Sequence, residues 1–183
     1  MHLEGIPAFD AAVMEFVQTH LHGSVADAVF PILTYLGEAG AVWILTALIL
    51  LFFRRTRTTG VLMLAAMLFT FVSGELILKN IVCRPRPCHA FPDIPLLIAR
   101  PDSYSFPSGH SGSSFAAATI LFLRHRKWGA AALVLAALIA FSRVFLFVHY
   151  PTDVLAGTLL GVLFALTVYF LYKKKFAGKA LRT

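Results

Sequence analysis

Residues 142–153 read SRVFLFVHYPTD, so that Arg143, His149 and Asp153 flank the apolar run 144–148. An isolated charge in the hydrocarbon of a bilayer costs on the order of 2.5–3.5 kcal/mol, even on lenient insertion scales. Ionisable side chains in such a segment therefore need either partners in the folded chain or a chemical role.

The chain as a whole has the composition of an integral membrane protein. Of its 183 residues, 58% are hydrophobic, and the mean hydropathy is +0.78, whereas about half of a typical soluble domain is apolar. Because about 20 apolar residues cross the hydrocarbon as a helix, we expect an all-α, polytopic membrane bundle of five or six helices in a single domain, 1–183. The predicted spans are the apolar runs 39–53, 59–78, 111–123, 128–148 and 152–172.

Two of these runs need more residues to reach the length of a span. The helix of the first run would have to extend back towards Val25, and a break or kink is expected at Pro31 and Gly37. The third run is short, and the Ser and Gly residues just before it are expected to extend its helix.

The two ends of the chain are predicted to lie outside the hydrocarbon. Apolar residues recur at helical spacing between residues 8 and 22, while Asp10 and Glu15 fall away from that stripe. This pattern favours an amphipathic helix on the membrane surface, within an interfacial segment 1–22, over a further span. Residues 173–183 are predicted to form a cytoplasmic basic tail.

Most basic residues fall on one side of the membrane if the runs cross alternately. An excess of Lys and Arg marks the cytoplasmic side, which predicts a cytoplasmic C-terminus. The net charge of +7 therefore indicates anchoring and headgroup contact rather than nucleic-acid binding. The residues on this side are Arg54, Arg55, Arg57, Arg124, Arg126, Lys127, Lys173, Lys174, Lys175, Lys179 and Arg182.

The remaining basic residues lie on the opposite, extracytoplasmic side of this topology, where they call for an anionic partner. The segments 79–87, 105–114 and 142–153 converge there. Ser108 and Gly109 precede an Ala-rich helical run, and the free amides of a helix N-terminus form a ready anion site. The basic residues on this side are Lys79, Arg84, Arg86, Arg100 and Arg143.

Two histidines accompany these cations. Pro151 is well placed to begin the last helix, so that Asp153 can reach one imidazole nitrogen of His149 and fix its tautomer. His110 has no such evident carboxylate. This division is typical of a nucleophile and a separate acid, and the surrounding cations favour phosphoryl transfer.

These residues resemble the three-part signature of the type 2 phosphatidic acid phosphatase superfamily. The resemblance covers about residues 35–172 and has no departure at the signature positions. Any one part is a weak signal, but three parts in order at the family spacing make a strong one. They are Lys79-x6-Arg86-Pro87, Pro107-Ser108-Gly109-His110 and Ser142-Arg143-x5-His149-x3-Asp153.

The resemblance implies a phosphatase that uses neither a metal nor a cofactor. It implies that His149 attacks phosphorus and becomes phosphohistidine, that Asp153 holds and polarises His149, and that His110 protonates the departing oxygen and then assists water. The residues implied to bind the phosphoryl oxygens are Lys79, Arg86, Ser108, Gly109 and Arg143.

The position of this cluster at the depth of the bilayer surface predicts a lipid phosphate or diphosphate as substrate, bound from the outer leaflet. Undecaprenyl diphosphate is the leading candidate, because short family members with extracytoplasmic sites often recycle that carrier. Phosphatidylglycerol phosphate and phosphatidic acid are alternatives. A lipid phosphotransferase and a non-enzymatic lipid-binding or transport protein are also compatible with the sequence, which carries no signal for an oligomeric state.

Three features adjoin the signature. Glu75 lies four residues before Lys79, a spacing that predicts an ion pair on one helix face. Arg84 is equally compatible with a role in the site and with headgroup contact. A disulfide between Cys83 and Cys88 is a minority expectation, because the prolines between them constrain its geometry.

Overall fold

The computed structural model describes residues 5–180, with side chains to residue 175. Residues 1–4 of the predicted interfacial segment and residues 181–183 of the predicted tail lie outside the described residues. All regular structure within the described part is helical. The elements are α1 Ala8–His20, α2 Ser24–Leu36, a 3-10 turn Glu38–Gly40, α3 Ala41–Phe52, α4 Arg57–Phe71, a π-helical segment Val72–Leu78, α5 Lys79–Val82, α6 Pro87–Ala90, α7 Gly109–Arg124, α8 Arg126–Phe145 and α9 Pro151–Ala180.

Three stretches of the described chain are long and apolar enough to cross a bilayer: Arg57–Ala90, Arg126–Phe145 and Pro151–Lys175. A fourth results if α2 and α3 are taken as one span that bends by 46°. The bend lies at Gly37, where a break was expected, whereas α2 continues through Pro31 without interruption. The number of crossing helices stays a prediction.

Helix α7 differs from the expected long span, because it has only 16 residues. Its middle is fully buried, with Ala116, Ala118 and Ile120 at 0% exposure. The helix packs against α4, α8 and α9, so it forms the interior of the bundle rather than a lipid-facing element.

Small residues bring α7 and α9 into close contact. A Cβ atom on Gly157 would overlap the carbonyl oxygen of Ser108, and one on Gly161 would overlap that of Gly112. This is the small-xxx-small packing that lets membrane helices approach closely. The first residues of the two helices are consequently neighbours, and the Ser108 amide donates to the carbonyl of Asp153 at 3.0 Å.

The basic loops gather at one end of the bundle, as predicted. Thr59 at the start of α4 contacts the ring of His125 at 3.0 Å. The guanidinium of Arg124 lies 5.8 Å from the ring of Tyr172 near the end of α9. Segments 79–87, 105–114 and 142–153 meet at the other end, where residues from all three line one cavity.

Helix α1 packs on the protein with a face that differs from the predicted one. Asp10, Met14 and Val17 are buried, whereas Phe9 and Phe16 are each 55% exposed. The assignment of Asp10 to the exposed polar side is therefore wrong, because its carboxylate has partners from distant parts of the chain. The location of α1 at the membrane surface stays a prediction.

Replacement of Gly157 tests the close contact between α7 and α9. We expect Gly157→Ala to destabilise the protein by about 1–3 kcal/mol, the usual cost of overpacking, since the new methyl group meets backbone atoms that cannot rotate away. The measurement is the thermal unfolding of the purified protein in detergent. Leu159→Ala, on the exposed side of the same helix, is the control, and equal stability of the two variants would contradict the contact.

Candidate active site

A cavity of about 700 Å³ opens at the end of the bundle opposite the basic loops. Of the eight predicted site residues, seven line this cavity and the eighth, Asp153, lies beside His149 but outside the lining. The structure thus brings the three signature segments together. The seven predicted residues that line it are Lys79, Arg86, Ser108, Gly109, His110, Arg143 and His149.

His149 is held rigidly in the short loop between α8 and α9. Its side chain is 1% exposed, and its backbone amide donates to the carbonyl of Arg143 at 3.1 Å. The ring nitrogen Nε2 lies 2.9 Å from Nη1 of Arg86, and Nδ1 lies 3.5 Å from Oδ2 of Asp153. The two ring nitrogens therefore face opposite partners, a cation and a carboxylate.

These partners define the tautomer of the ring. A guanidinium is always a donor, so Nε2 accepts from Arg86 and the proton of the neutral ring resides on Nδ1, facing Asp153. Burial, together with the positive charges of Arg86, Arg143 and Lys79, holds the pKa of His149 well below its ordinary value. The ring is consequently neutral at physiological pH, with the lone pair of Nε2 on the cavity side.

Asp153 is fully buried and held by several donors. Oδ2 accepts from the hydroxyl of Ser105 and from the amide of Tyr150 at 2.9 Å. Oδ1 accepts from Arg84 at 2.6 Å. These bonds leave the carboxylate no freedom to turn away from His149, which agrees with the predicted pairing of the two residues.

Arg86 spans the site between a loop and the imidazole. Nε donates to the carbonyl of Ser103 at 2.6 Å, and Nη2 donates to its hydroxyl at 2.9 Å. Nη1 donates to the carbonyl of Val148 at 2.9 Å in addition to its contact with His149. The plane of the guanidinium is therefore fixed by neutral oxygens, and its charge has no carboxylate partner in direct contact among the described side chains.

Arg143 supplies a second buried guanidinium to the cavity. It is 4% exposed, and Nη1 donates to the hydroxyl of Thr34 on α2 at 2.5 Å. Its Nε has no hydrogen-bond partner, a state shared among the described buried side-chain atoms only by Nε2 of His110 and Nδ1 of His149. All three atoms belong to residues that line the same cavity, and a buried polar atom without a partner is often found at a functional site.

Ser108 and Gly109 form the predicted helix N-terminus. Ser108 is the N-cap of α7, and its hydroxyl accepts from the amide of Ser111 at 3.4 Å and from the Ser111 hydroxyl at 3.0 Å. Gly109 begins the helix with no side chain to cover its amide. The N-terminus of α7 suits an anion, because its free amides and the positive end of the helix dipole both point towards the space in front of it.

Lys79 and Glu75 form the predicted ion pair, with both carboxylate oxygens 2.7 Å from Nζ. The π-helical segment that precedes α5 carries Glu75, and its carboxylate lies directly against Gly109, where a Cβ atom would overlap Oε1. Lys79 is therefore charge-compensated beside the same helix N-terminus that could receive a phosphoryl group.

His110 stands in the first turn of α7. Its Nε2 lies 3.6 Å from Oε2 of Glu38, in the turn between α2 and α3, and its ring packs against Gly37, where a Cβ would lie 3.0 Å from Cδ2. The bend after α2 thus places a carboxylate at the second imidazole.

The structure also decides the alternatives that the sequence left open for Arg84 and for the two cysteines. Arg84 is turned towards Asp153 and Asp10 and does not line the cavity, although its side chain stays partly exposed. Cys83 and Cys88 are free thiols, the first exposed and the second buried, so the minority expectation of a disulfide is wrong in this structure. Cys88 lies in α6 and belongs to the same buried cluster as Val148.

The chain is similar in sequence and in fold to known membrane phosphatases. The sequence model of the PAP2 superfamily matches residues 58–177. The chain belongs to the PAP2 superfamily. Its similarity to the undecaprenyl-diphosphatase of Sulfolobus acidocaldarius is 37% identity over 121 residues, which cover 66% of this chain and 58% of that protein.

Two solved structures of membrane phosphatases share the fold. The crystal structure of Aquifex aeolicus LpxE matches with a TM-score of 0.77 at 26% identity, over 92% of this chain and 99% of that one. The PAP2-type phosphatidylglycerolphosphate phosphatase of Bacillus subtilis matches with a TM-score of 0.72 at 29% identity, over 90% and 85%. The predictions of the family, of an all-helical membrane fold and of a lipid phosphatase are confirmed.

Several residues that contact the site residues of this PAP2 protein were not predicted from the sequence, because they lie far from their partners along the chain. Thr34 binds Arg143, Ser103 binds Arg86, and Glu38 faces His110. None carries a local signal, because Ser and Thr are common in loops and helix ends. Ser105 lies inside a segment that the sequence singled out, but only the fold reveals its contact with Asp153.

Replacement of Arg86 tests whether the site needs a forked guanidinium at this position rather than a positive charge alone. We expect Arg86→Lys to lower kcat/KM about 100-fold, in the range found when one transition-state donor is lost, since an ammonium keeps the charge but cannot span Ser103, Val148 and His149 together. The measurement is phosphate release under steady-state conditions. Arg126→Lys, at the opposite end of the bundle, is the control. Full activity of Arg86→Lys would show that the hydrogen bonds of the Arg86 guanidinium are not needed for the reaction.

Proposed function

We propose that this PAP2 protein hydrolyses a lipid phosphate or diphosphate at the extracytoplasmic face through a phosphohistidine intermediate. The observation that carries the proposal is the geometry of His149. Its Nε2 lies in the cavity 2.9 Å from Arg86, so its lone pair can reach phosphorus once that guanidinium turns to the phosphoryl oxygens, while its Nδ1 faces the immobilised carboxylate of Asp153. This is the arrangement of an activated nucleophile whose orientation is fixed by a third group.

In the first step, Nε2 of His149 attacks the terminal phosphorus. The new P–N bond forms as the bond between phosphorus and the leaving oxygen breaks. His110, which takes up a second proton together with the anionic substrate, gives that proton to the leaving oxygen. With a diphosphate, the leaving group is the lipid monophosphate; with a monoester, it is the lipid alcohol. Asp153, whose Oδ2 lies 3.5 Å from Nδ1, stabilises the positive charge that the ring acquires.

In the second step, water attacks the phosphohistidine. His110, now neutral, takes a proton from the water, the P–N bond breaks, and inorganic phosphate leaves. The steps need no metal, and the prediction of a metal-independent enzyme follows from them.

The cations and amides of the site stabilise the charge on the phosphoryl oxygens. Arg86, Arg143, Lys79, the Ser108 hydroxyl and the Gly109 amide surround the same cavity as both histidines. Preorganised donors of this kind supply a large share of catalysis in phosphoryl transfer. The carboxylate of Glu75 must yield its place on Lys79 when a phosphoryl group binds there.

The walls of the cavity support a lipid substrate. Beside the polar residues, apolar side chains from α3, α4 and α9 contribute to the lining, among them Ile44, Leu64, Met67 and Leu160. A headgroup can therefore reach the histidines while the adjacent chain stays in contact with apolar surface. Free sugar phosphates have no such segment to occupy this wall.

Undecaprenyl diphosphate is the substrate we favour, and phosphatidylglycerol phosphate and phosphatidic acid are the alternatives. The similarity to an undecaprenyl-diphosphatase supports the first choice, and the fold shared with a phosphatidylglycerolphosphate phosphatase supports the second. The chain spans 58% of the length of the archaeal relative, so a substrate panel is needed to choose between them.

Such a panel, with His149→Ala beside the wild type, tests the function. Detergent-solubilised wild-type protein is expected to release phosphate from at least one of these lipids without an acceptor lipid, which excludes an obligatory phosphotransferase. His149→Ala should lose at least about 10⁴-fold in kcat, as expected for a nucleophile. His125→Ala, at the opposite end of the bundle, is the control. Phosphate release by His149→Ala at the wild-type rate would rule out the intermediate and favour a binding or transport role.

The orientation of the protein is tested separately. The basic residues at the end opposite the cavity favour the cytoplasmic side, which puts the cavity on the extracytoplasmic side and the C-terminus in the cytoplasm. We expect a reporter fused after Thr183 to be active only in the cytoplasm. A signal from an extracytoplasmic reporter at the same position would invert the proposed topology.

A further inference from the structure

Arg84 bridges two buried carboxylates outside the cavity. Its Nη1 donates to Oδ1 of Asp153 at 2.6 Å, and its Nη2 donates to Oδ2 of Asp10 at 2.8 Å. Both carboxylates are 0% exposed, and the guanidinium lies 3.8 Å from the centre of the Tyr150 ring. Because Arg84 does not line the cavity, it is not a ligand of the substrate.

Asp10 is joined to the start of α9 by further bonds. The amide of Thr152 donates to Oδ1 at 2.9 Å, and its hydroxyl donates to Oδ2 at 2.7 Å. Arg84 also donates to the Thr152 hydroxyl, at 2.8 Å. The carboxylate of α1 therefore holds both the cation that binds Asp153 and the helical turn that carries Asp153.

The rest of α1 packs beneath the loop that carries His149. Met14 and Val17 belong to one buried cluster with Phe145 and Phe147. Gln18 adds a hydrogen bond from Nε2 to the carbonyl of Phe145 at 3.0 Å. Helix α1 thus contacts both sides of the His149–Asp153 pair, through a salt bridge at one end and apolar contacts at the other.

Arg84 is the one charged donor in direct contact with Asp153 among the described residues. The other donors are a hydroxyl and an amide. A buried carboxylate that loses its cation is strongly destabilised, and it responds by taking up a proton or by rotating towards other donors. Either change weakens its hold on Nδ1 of His149.

We infer that Asp10 and Arg84 are positioning residues, which fix the carboxylate of Asp153 against His149 and tie it to α1. The inference rests on the proposed function, because it assigns these residues an effect on the reaction of His149. It gives the N-terminal helix a part in catalysis without contact with the substrate.

The test compares Asp10→Asn, Arg84→Lys and Arg84→Gln with the wild type in phosphate release. We expect kcat per folded molecule to fall about 10–100-fold, the usual effect of removing a partner that orients a functional side chain. KM and the inhibition constant for inorganic phosphate should stay within about twofold, because the phosphate-binding groups are untouched. Arg84→Lys should not restore kcat, since an ammonium lacks the fork that spans two carboxylates.

Two comparisons separate positioning from a merely structural role. Asp27→Asn removes the other carboxylate pair near α1, the 2.7 Å contact with His22, and should leave kcat unchanged. The Asp10→Asn/Arg84→Gln double variant should be no slower than Arg84→Gln, because residues that act through one group are not additive. If Arg84→Gln does not fold, Asp10→Asn and Arg84→Lys carry the same comparison.

Wild-type kcat per folded molecule in both Asp10→Asn and Arg84→Lys, even with lower thermal stability, would overturn the inference alone. A rise in KM with unchanged kcat would also overturn it, since it would place Arg84 among the substrate ligands. An inactive wild-type protein across the lipid panel would overturn the proposed function and this inference with it.

Discussion

The site depends on the enclosure of an excess of positive charge around one neutral imidazole. Lys79, Arg86 and Arg143 are 6%, 3% and 4% exposed, and charges so far from water need compensation. Glu75 compensates Lys79, whereas the two guanidinium groups are held mainly by neutral oxygens. Burial and this uncompensated charge together lower the pKa of His149. In the proposed mechanism, the same charge also favours binding of a phosphoryl group, so that one electrostatic feature serves both the nucleophile and its target.

The packing of the helices determines where this charge is concentrated. Gly157 and Gly161 on α9 let its backbone approach that of α7 closely, which brings the helix N-terminus at Ser108 beside the first turn at Asp153. The free amides at the start of α7 and the carboxylate beside His149 are therefore brought together by the same helix contact. A bundle with larger residues at this contact would separate the two parts of the site.

The features that could be predicted from the sequence are those that depend on residues close together in the chain. Apolar runs located the long helices, and the spacing of the basic residues separated the two ends of the bundle. The signature residues met in one cavity, because three segments at the ends of successive helices have to lie at one depth. The partners that immobilise them were not predictable: Thr34, Ser103 and Glu38 contact the site only through the bend after α2 and the path of a loop. The burial of Asp10 was missed for the same reason, since its salt bridge joins residues 74 positions apart.

The charges behind His149 complement those in front of it. Asp10, Arg84 and Asp153 together carry one negative charge, and all of it lies on the side of the ring that Nδ1 faces. In the proposed reaction, transfer of a phosphoryl group to Nε2 makes the ring cationic while Arg86 and Arg143 hold the phosphoryl oxygens. A single free carboxylate in so positive an environment would be drawn to the nearest guanidinium of the cavity. Its attachment to Arg84, and the attachment of Arg84 to Asp10, keep the negative charge on the side where the imidazolium develops.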